Sequence, residues 1–393
     1  MTPACDILVA GAGVAGVPAA VAAARAGART VLLEKEDFPG GAGVMALHRY
    51  ICGLYLNGPD EPTETLNPGL PREITARLHS IDPANRPQPL GRVWGFAFQP
   101  AHFRAVYDSL LRDEPNLTVH FSASVESVTR DADRIASVTY SCPNGSATLH
   151  PAAAIDATGS GDLIRLSGAP FHLAPEPERQ ISGCTLHLGR IQGDRSFLGV
   201  RIAWTLSRFG PSESRDLPVF AGFSPGSASD DGFCKFSLHT ALDEPTLSHR
   251  LKILHTLLAA HIPELATSRI LAQSRRMERE GIRLAGQWEL DAPSLLAARK
   301  FPDAVARTAW PIEFWDPASN SPRYDYPPDG DYAEIPRRCL CSSSIVNLLA
   351  TGRCISATSR ALAATRVMGT CIALGEAAGN EAATLLQPAS TKL

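Results

Sequence analysis

Gly11, Gly13 and Gly16 follow the spacing G-x-G-x-x-G, and the acid Glu34 stands further along the same stretch. Chemistry at this spacing is dinucleotide binding. The first glycine permits a tight turn, the second lets the backbone approach a pyrophosphate, and the third lets helix and strand pack closely. The N-terminus of the following helix offers unpaired N–H groups to the phosphates, and an acid about 20 residues on suits a ribose hydroxyl. NAD and FAD both fit this much. Arg275-Arg276 could bind a substrate carboxylate bidentately, or form an exposed strand ion-paired with Glu278 and Glu280. The 9 cysteines are odd in number and contain no C-x-x-C pair. They read as reduced, mostly buried thiols in a cytoplasmic protein, and argue against disulfide reductase chemistry. Cys339-x-Cys341 is too tight for zinc, so no metal site is expected.

These residues need a scaffold. An apolar run before Gly11 predicts a strand. Ala19, Ala20, Ala22, Ala23, Ala24 and Ala26 predict a helix ending near Gly27, and Thr-Val-Leu-Leu before Glu34 a second strand. Pro- and Asn-rich stretches at 57–71 and 82–89 read as loops around a short helix, Arg72–Leu78. Apolar spacing predicts a helix from Gln99 to Arg112. Strands follow at 117–121 and 125–129, then a hairpin around Pro143-Asn144-Gly145. Ala152–Ala157 reads as a core strand delivering the loop Thr158-Gly159-Ser160-Gly161-Asp162 to a ligand. Beyond residue 166 the pattern changes. Strands at Cys184–Leu188 and Phe233–Leu238 and an amphipathic helix, Thr246–Ala260, suggest a second domain. Trp288, Trp310 and Trp315 fall in its later part, as core or as an apolar pocket, before a Pro-rich loop at 317–330. The end returns to the first style, with a strand at Ile345–Ala350 and a long helix from about Gly369 to Leu386.

The chain has 393 residues, is 44% hydrophobic and 20% charged, and carries a net charge of −3. That suits a globular protein of two domains. It gives no electrostatic reason to expect nucleic acid or an anionic membrane as partner. No stretch of 18 or more apolar residues and no basic signal region occur, so no membrane span is expected. The ending Ser390-Thr391-Lys392-Leu393 approaches a peroxisomal Ser-Lys-Leu and is taken as coincidence.

The segments Asn347–Thr358 and Arg366–Gly379 resemble the closing flavin-binding motif of FAD-dependent oxidoreductases of the glutathione-reductase-like superfamily. Gly40-Gly41, Asp156–Leu163, Gln273–Arg276 and Phe301–Arg307 match the same group in order along the chain. The resemblance implies an α/β fold: a Rossmann-like FAD-binding domain, parallel sheet plus β-meander, formed by residues 1–165 and 336–393, with an α+β substrate domain over 166–335. It implies that FAD is held by Gly11, Gly13, Ala15, Gly16, Glu34, Lys35, Gly41, Val125, Thr158, Gly159, Gly352, Arg353, Gly369 and Thr370. The helix beginning at Gly369-Thr370 would point its positive end at the flavin N1/C2=O edge. His48 and Arg49, after the glycine turn, would approach the ring, with His48 placed to take a proton. Arg366 could hold the ring edge or a substrate anion. Two positions depart from the group: Ser359 stands where a histidine is common, and Trp315 where Asp-x-His is common. Glu313 could replace the missing acid, and Arg276 completes the candidate catalytic set of His48, Arg49, Arg276 and Glu313.

The expected function is oxidation of a small organic substrate by hydride transfer to flavin, as a dehydrogenase or oxidase. One fingerprint implies an external electron acceptor, dioxygen or a carrier. The alternatives are an FAD monooxygenase reduced by external NAD(P)H, disfavoured by Thr-Gly-Arg where that family has Gly-Asp, and a flavin-binding subunit with little catalysis of its own. A homo-oligomer is left open.

Overall fold

The computed structural model describes residues 5–143, 145–210, 217–238, 242–319 and 321–387. Asn144 of the predicted hairpin turn and the Ser390–Leu393 ending lie outside them. Ile7–Ala10 is apolar throughout and buried on both faces, the pattern of a strand inside a parallel sheet. It lies at the centre of five parallel strands, ordered Leu348–Ala350, Ala153–Asp156, Ile7–Ala10, Thr30–Leu33 and Leu117–His120. Register aligns Ala10 with Leu33 and with Asp156, and Asp156 with Ala350. The loops after four strands therefore emerge along one edge of the sheet, where open α/β sheets bind ligands.

The fingerprint helix Gly16–Arg25 and the closing helix Met368–Thr384 cross on one face of this sheet. Their contact is set by missing side chains. A Cβ on Gly375 would stand 2.1 Å from the Ala15 carbonyl oxygen, and one on Gly379 2.2 Å from that of Ala19. The predicted meander is present as Ser124–Asp131, Arg134–Cys142 and Gly145–Leu149, all antiparallel.

A distal antiparallel sheet has the order Val219–Pro225, Gly232–Leu238, Ser182–Gly189, Arg269–Gln273. The predicted amphipathic helix runs from Glu244 to His261, and its Asp243 cap accepts from the Thr246 N–H at 2.8 Å. Leu247, Leu251, Leu254 and Leu258 of that helix share a core cluster with Cys184, Leu186 and Phe236. In contrast, Leu290, Leu295, Ala306, Ile312 and Ile335 are buried with the fingerprint and closing helices.

Three local expectations need correction. The short helix runs from Leu70 to Ile81, beyond the predicted Arg72–Leu78. Pro87–Leu90, read as loop, pairs with Val93–Ala97 as an edge of a three-stranded sheet that includes Tyr50–Cys52. The Pro-rich stretch from 317 contains a strand, Ser321–Asp325, paired with Ile312–Asp316. Proline is admissible on an edge strand, and tertiary pairing overrides its loop preference. No helix among the described residues is long and apolar enough to cross a membrane.

Candidate functional site

The fingerprint loop is built for a close approach. Gly11 has φ +97, and a Cβ there would stand 2.6 Å from the Ala157 carbonyl oxygen. A Cβ on Gly16 would fall 1.7 Å from the Gly11 oxygen. Gly13 differs, because its Cβ would meet nothing within 4 Å. The protein's own packing does not require a glycine there, whereas a ligand lying against the loop does. The helix that starts at Gly16 has Ala15 as N-cap and no capping side chain; Val17 N–H donates to the Gly13 carbonyl at 3.3 Å and Pro18 has none, so the Gly16 N–H is the first-turn donor left for a ligand. Gly41 packs on this loop, with its Cβ position 2.9 Å from Gly13 Cα, and the Gly40 N–H donates to the Ala12 carbonyl at 2.8 Å.

Beside the loop opens a cavity lined by Gly11, Glu34, Lys35, Val125, Thr158 and Ser160 among others. It brings together five residues that the resemblance implies for FAD: Gly11, Glu34, Lys35, Val125 and Thr158. The Glu34 carboxylate accepts from the Ala12 N–H at 2.6 Å and the Glu36 N–H at 3.0 Å. Burial raises its pKa against these two donors. The far wall is organised by Asp156, fully buried, which accepts from the Thr158 N–H at 3.0 Å, the Thr158 hydroxyl at 2.7 Å and the Ile164 N–H at 3.0 Å. Thr158 Oγ1 in turn accepts from the N–H groups of Ser160, Gly161 and Asp162. Arg353 lies over Gly159, where a Cβ would stand 2.6 Å from its guanidinium, and donates to the Glu278 carbonyl. Gly352 has φ +62 and sits against Ala15.

The closing helix begins one residue before the predicted Gly369, with Val367 as N-cap and no capping side chain. Gly369 is required by packing, since a Cβ would stand 2.6 Å from Gly53 C and Leu54 N. Thr370 is fully buried, its hydroxyl 3.4 Å from that of Thr308. Its side chain therefore faces protein, and only backbone N–H groups remain for a ligand at this end.

At the same helix end a group of charged side chains converges from four elements. His48 and Cys52 come from the segment after the glycine turn, and Lys235 from the distal strand Gly232–Leu238. Glu313 comes from Ile312–Asp316, and Arg366 from the residue before the Val367 cap. Arg279 joins them. Each except Arg279 keeps part of its surface open while protein surrounds it, as in the wall of a deep cleft. Trp315 is buried between two of the cations, with Lys235 Nζ 4.8 Å and Arg279 Cζ 4.0 Å from its ring centroid. The Trp315 indole donates to Glu313 Oε1 at 2.8 Å, and Arg366 Nη2 donates to the Glu313 carbonyl at 3.1 Å.

Burial sets the electrostatics. It pushes the His48 pKa down to about 3, helped by Lys235, Arg279 and Arg366, so the imidazole is neutral. Burial pushes the Cys52 thiol up to about 12. For Glu313, burial raises the pKa, but Lys235, Arg366 and the Trp315 N–H outweigh it, and the carboxylate is ionised. Burial lowers Lys235 to about 8.

Of the four candidate catalytic residues, His48 and Glu313 meet in this cleft. Arg49 packs its guanidinium 5.1 Å over the Phe233 ring. Arg276 is taken up by Glu278 and by the Ser182 hydroxyl, the ion-paired alternative, and is not among the charges acting on His48, Lys235 or Glu313. Arg275 pairs with Glu36 at 2.5 Å. Ser359, at the position of the missing histidine, donates to Glu280, which is ion-paired with Arg283. Sequence reasoning missed Lys235 and Arg279. The signal for Lys235 was present: it is the single charge in Phe-Cys-Lys-Phe-Ser-Leu. Arg279 sits in a run of charges, where nothing marks it out. All nine cysteines are free, and no cluster able to hold a metal occurs among the described residues.

The family model described as "FAD dependent oxidoreductase" matches residues 6–391. No curated protein matches the chain. Among solved structures it is similar to p-nitrophenol 4-monooxygenase from Pseudomonas putida, with 15% identity and a TM-score of 0.43 over 74% of this chain and 70% of that one. It is similar to a flavoprotein/dehydrogenase from Cytophaga hutchinsonii, with 12% identity and a TM-score of 0.48 over 97% and 77%. A third is a geranylgeranyl bacteriochlorophyll reductase-like protein from Thermoplasma acidophilum, with 12% identity and a TM-score of 0.47 over 98% and 78%. Across such structures the chain spans from 54% to 79% of their own length.

Proposed function

The chain belongs to the FAD-dependent oxidoreductase family, and from that premise we propose that it oxidises a small organic molecule, held in the charged cleft, by hydride transfer. Bound FAD supplies the two-electron acceptor, which takes hydride at N5. The loop of Gly11, Gly13, Ala15 and Gly16 would hold the pyrophosphate, with Gly352 and Arg353 alongside. Glu34, Lys35, Val125, Thr158 and Gly159 would hold the adenosine half, and Gly41 fixes the loop from behind. Backbone N–H groups of the closing helix, around Gly369 and Thr370, would face the ring.

The observation that carries the reading is the meeting of a neutral His48 and an ionised Glu313 at the uncapped end of that helix. An imidazole nitrogen of His48 can accept a hydrogen bond from a substrate hydroxyl or amine and pass its proton on to water as the C–H electron pair leaves, since a pKa of about 3 keeps the ring from holding that proton. Arg366 fixes the Glu313 strand through the backbone carbonyl, and the Trp315 N–H holds the carboxylate. The electrons then pass to dioxygen or a separate carrier.

Anaerobic stopped-flow reduction of the FAD-loaded protein tests this. Bleaching of the flavin by substrate alone is the expected result, and His48→Asn should slow it about 10²–10⁴-fold with FAD content unchanged. Bleaching by NAD(P)H alone would replace this reading with the monooxygenase. Bleaching by neither would leave a flavin-binding protein without its own oxidation.

A further inference from the structure

The cleft holds more positive charge than it neutralises. Lys235, Arg279 and Arg366 face one ionised carboxylate, Glu313, while His48 is neutral and Cys52 keeps its proton. Lys235 Nζ has no hydrogen-bond or ion-pair partner among the described residues. It lies over the Trp315 ring and is not among the sealed polar atoms, so it faces open space. His48 likewise has no hydrogen-bond partner among the described residues. Arg366 Nε is buried and unpartnered, although another nitrogen of the same guanidinium donates to Gln180 and Glu313. Arg279 donates to the Ile181 carbonyl and stacks on Trp315.

Leaving an ammonium and a guanidinium N–H unpaired in a desolvated cleft is costly, and the cost is removed by a ligand that brings acceptor oxygens and negative charge. We propose that the cleft is a carboxylate site, in which Lys235 and Arg366 take the head of a small organic acid, with the buried Arg279 adding positive charge beside them, and so define the substrate class. The proposal rests on reading this cleft as the substrate side of the flavin. Two features favour an organic carboxylate over free phosphate. Glu313 already cancels one of the three charges, and Cys52 and the half-exposed Tyr324 give the space less polar walls for a carbon skeleton.

The carbons follow from the same arrangement. With the carboxylate held by Lys235 and Arg366, the C–H bond to be oxidised would lie on the carbon skeleton beyond it, within reach of His48. Organic acids with a hydroxyl or amino group close to the carboxylate fit that order.

The test is isothermal titration calorimetry of the FAD-loaded protein with benzoate and succinate, with their amides benzamide and succinamide, and with inorganic phosphate. The acids should bind at least about tenfold more tightly than the amides. Lys235→Met should weaken them about tenfold or more, and Lys235→Arg should retain binding. Glu313→Gln keeps an acceptor for the Trp315 N–H and removes the opposing charge, so it should tighten binding. A structural role for these residues predicts loss in both variants, not opposite signs. Acids and amides binding alike, binding of phosphate alone, no binding of any probe, or weakening in Glu313→Gln would overturn the proposal. Failure here is separable from failure of the oxidation reading. Flavin reduction by neutral alcohols without acid binding would sink the carboxylate site alone, whereas acid binding without reduction by any substrate would sink the oxidation alone.

Discussion

At the scale of single residues, the three fingerprint glycines are not equivalent, and two substitutions separate their roles. Gly13 has an ordinary φ and open space where a Cβ would be. Gly13→Ala should leave the stability of the FAD-free protein unchanged or raise it by about 0.4–1 kcal/mol through the unfolded chain, while weakening FAD binding. Gly16→Ala collides with the Gly11 carbonyl at 1.7 Å and should lower both. Denaturant melts and FAD titrations of the two variants check this, and equal FAD affinity in Gly13→Ala would remove the ligand explanation for that glycine. Lys235 carries a second residue-scale expectation. Burial lowers its pKa to about 8, and the charges around it are Glu313, Arg279 and Arg366, with His48 neutral. A bound carboxylate raises that pKa, so binding takes up a proton above it. Affinity for benzoate should be flat below about pH 8 and fall as pH rises beyond, while the two arginines keep their charge. A profile that is flat from pH 7 to 9.5, or that improves with pH, contradicts Lys235 as the ligand. This lysine shows what was legible and what was not. The glycines and Glu34 are neighbours along the chain, so their spacing exposes them. Lys235 acquires its meaning from Glu313 and Arg366, which lie far away in sequence and close only after folding.

At the scale of elements, the two cofactor-facing helices are held by absent side chains. Gly375 and Gly379 are four apart, on one face of the closing helix, and each lies against a carbonyl of the fingerprint helix. Alanine has the higher helix propensity by about 1 kcal/mol, yet Gly375→Ala would place its Cβ 2.1 Å from the Ala15 oxygen. Backbone must move, at a cost of about 1–3 kcal/mol typical of overpacking, and Ala15 belongs to the loop proposed to hold the pyrophosphate. Gly375→Ala should therefore destabilise the protein and lower FAD occupancy together. A variant that proves more stable in urea, as propensity alone predicts, would show that the helices can slide apart freely. The elements of this half were readable because local pattern and tertiary role agree: apolar runs for buried strands, alanine for a closely packed helix, glycine at its end. Reading failed where they disagree. Pro87–Leu90 and Ser321–Asp325 contain turn-forming residues and become strands because a neighbour supplies the hydrogen bonds.

At the scale of the whole molecule, the residues proposed to hold the cofactor come from both ends of the chain. Residues 11–16 and 34, 158–159 and 352–353 are brought to one edge by strands of one parallel sheet. The unfolded chain cannot present this arrangement, so FAD binds the native state and stabilises it by mass action. At free FAD about 100-fold above its Kd the gain is about 2.7 kcal/mol, or about 3 °C in Tm for a chain of this length. The gain should not be uniform. Opening that separates the fingerprint helix from the closing helix destroys the site and must be suppressed by the ligand. The helix Glu244–His261 buries its leucines in a separate cluster. Hydrogen exchange with and without FAD should therefore slow in Ile7–Arg25, Ala153–Leu166 and Leu348–Thr384, and change little in Glu244–His261. Equal protection of all four segments would mean that the distal sheet and the nucleotide half open as one unit, and no protection in the first three would remove FAD from this site.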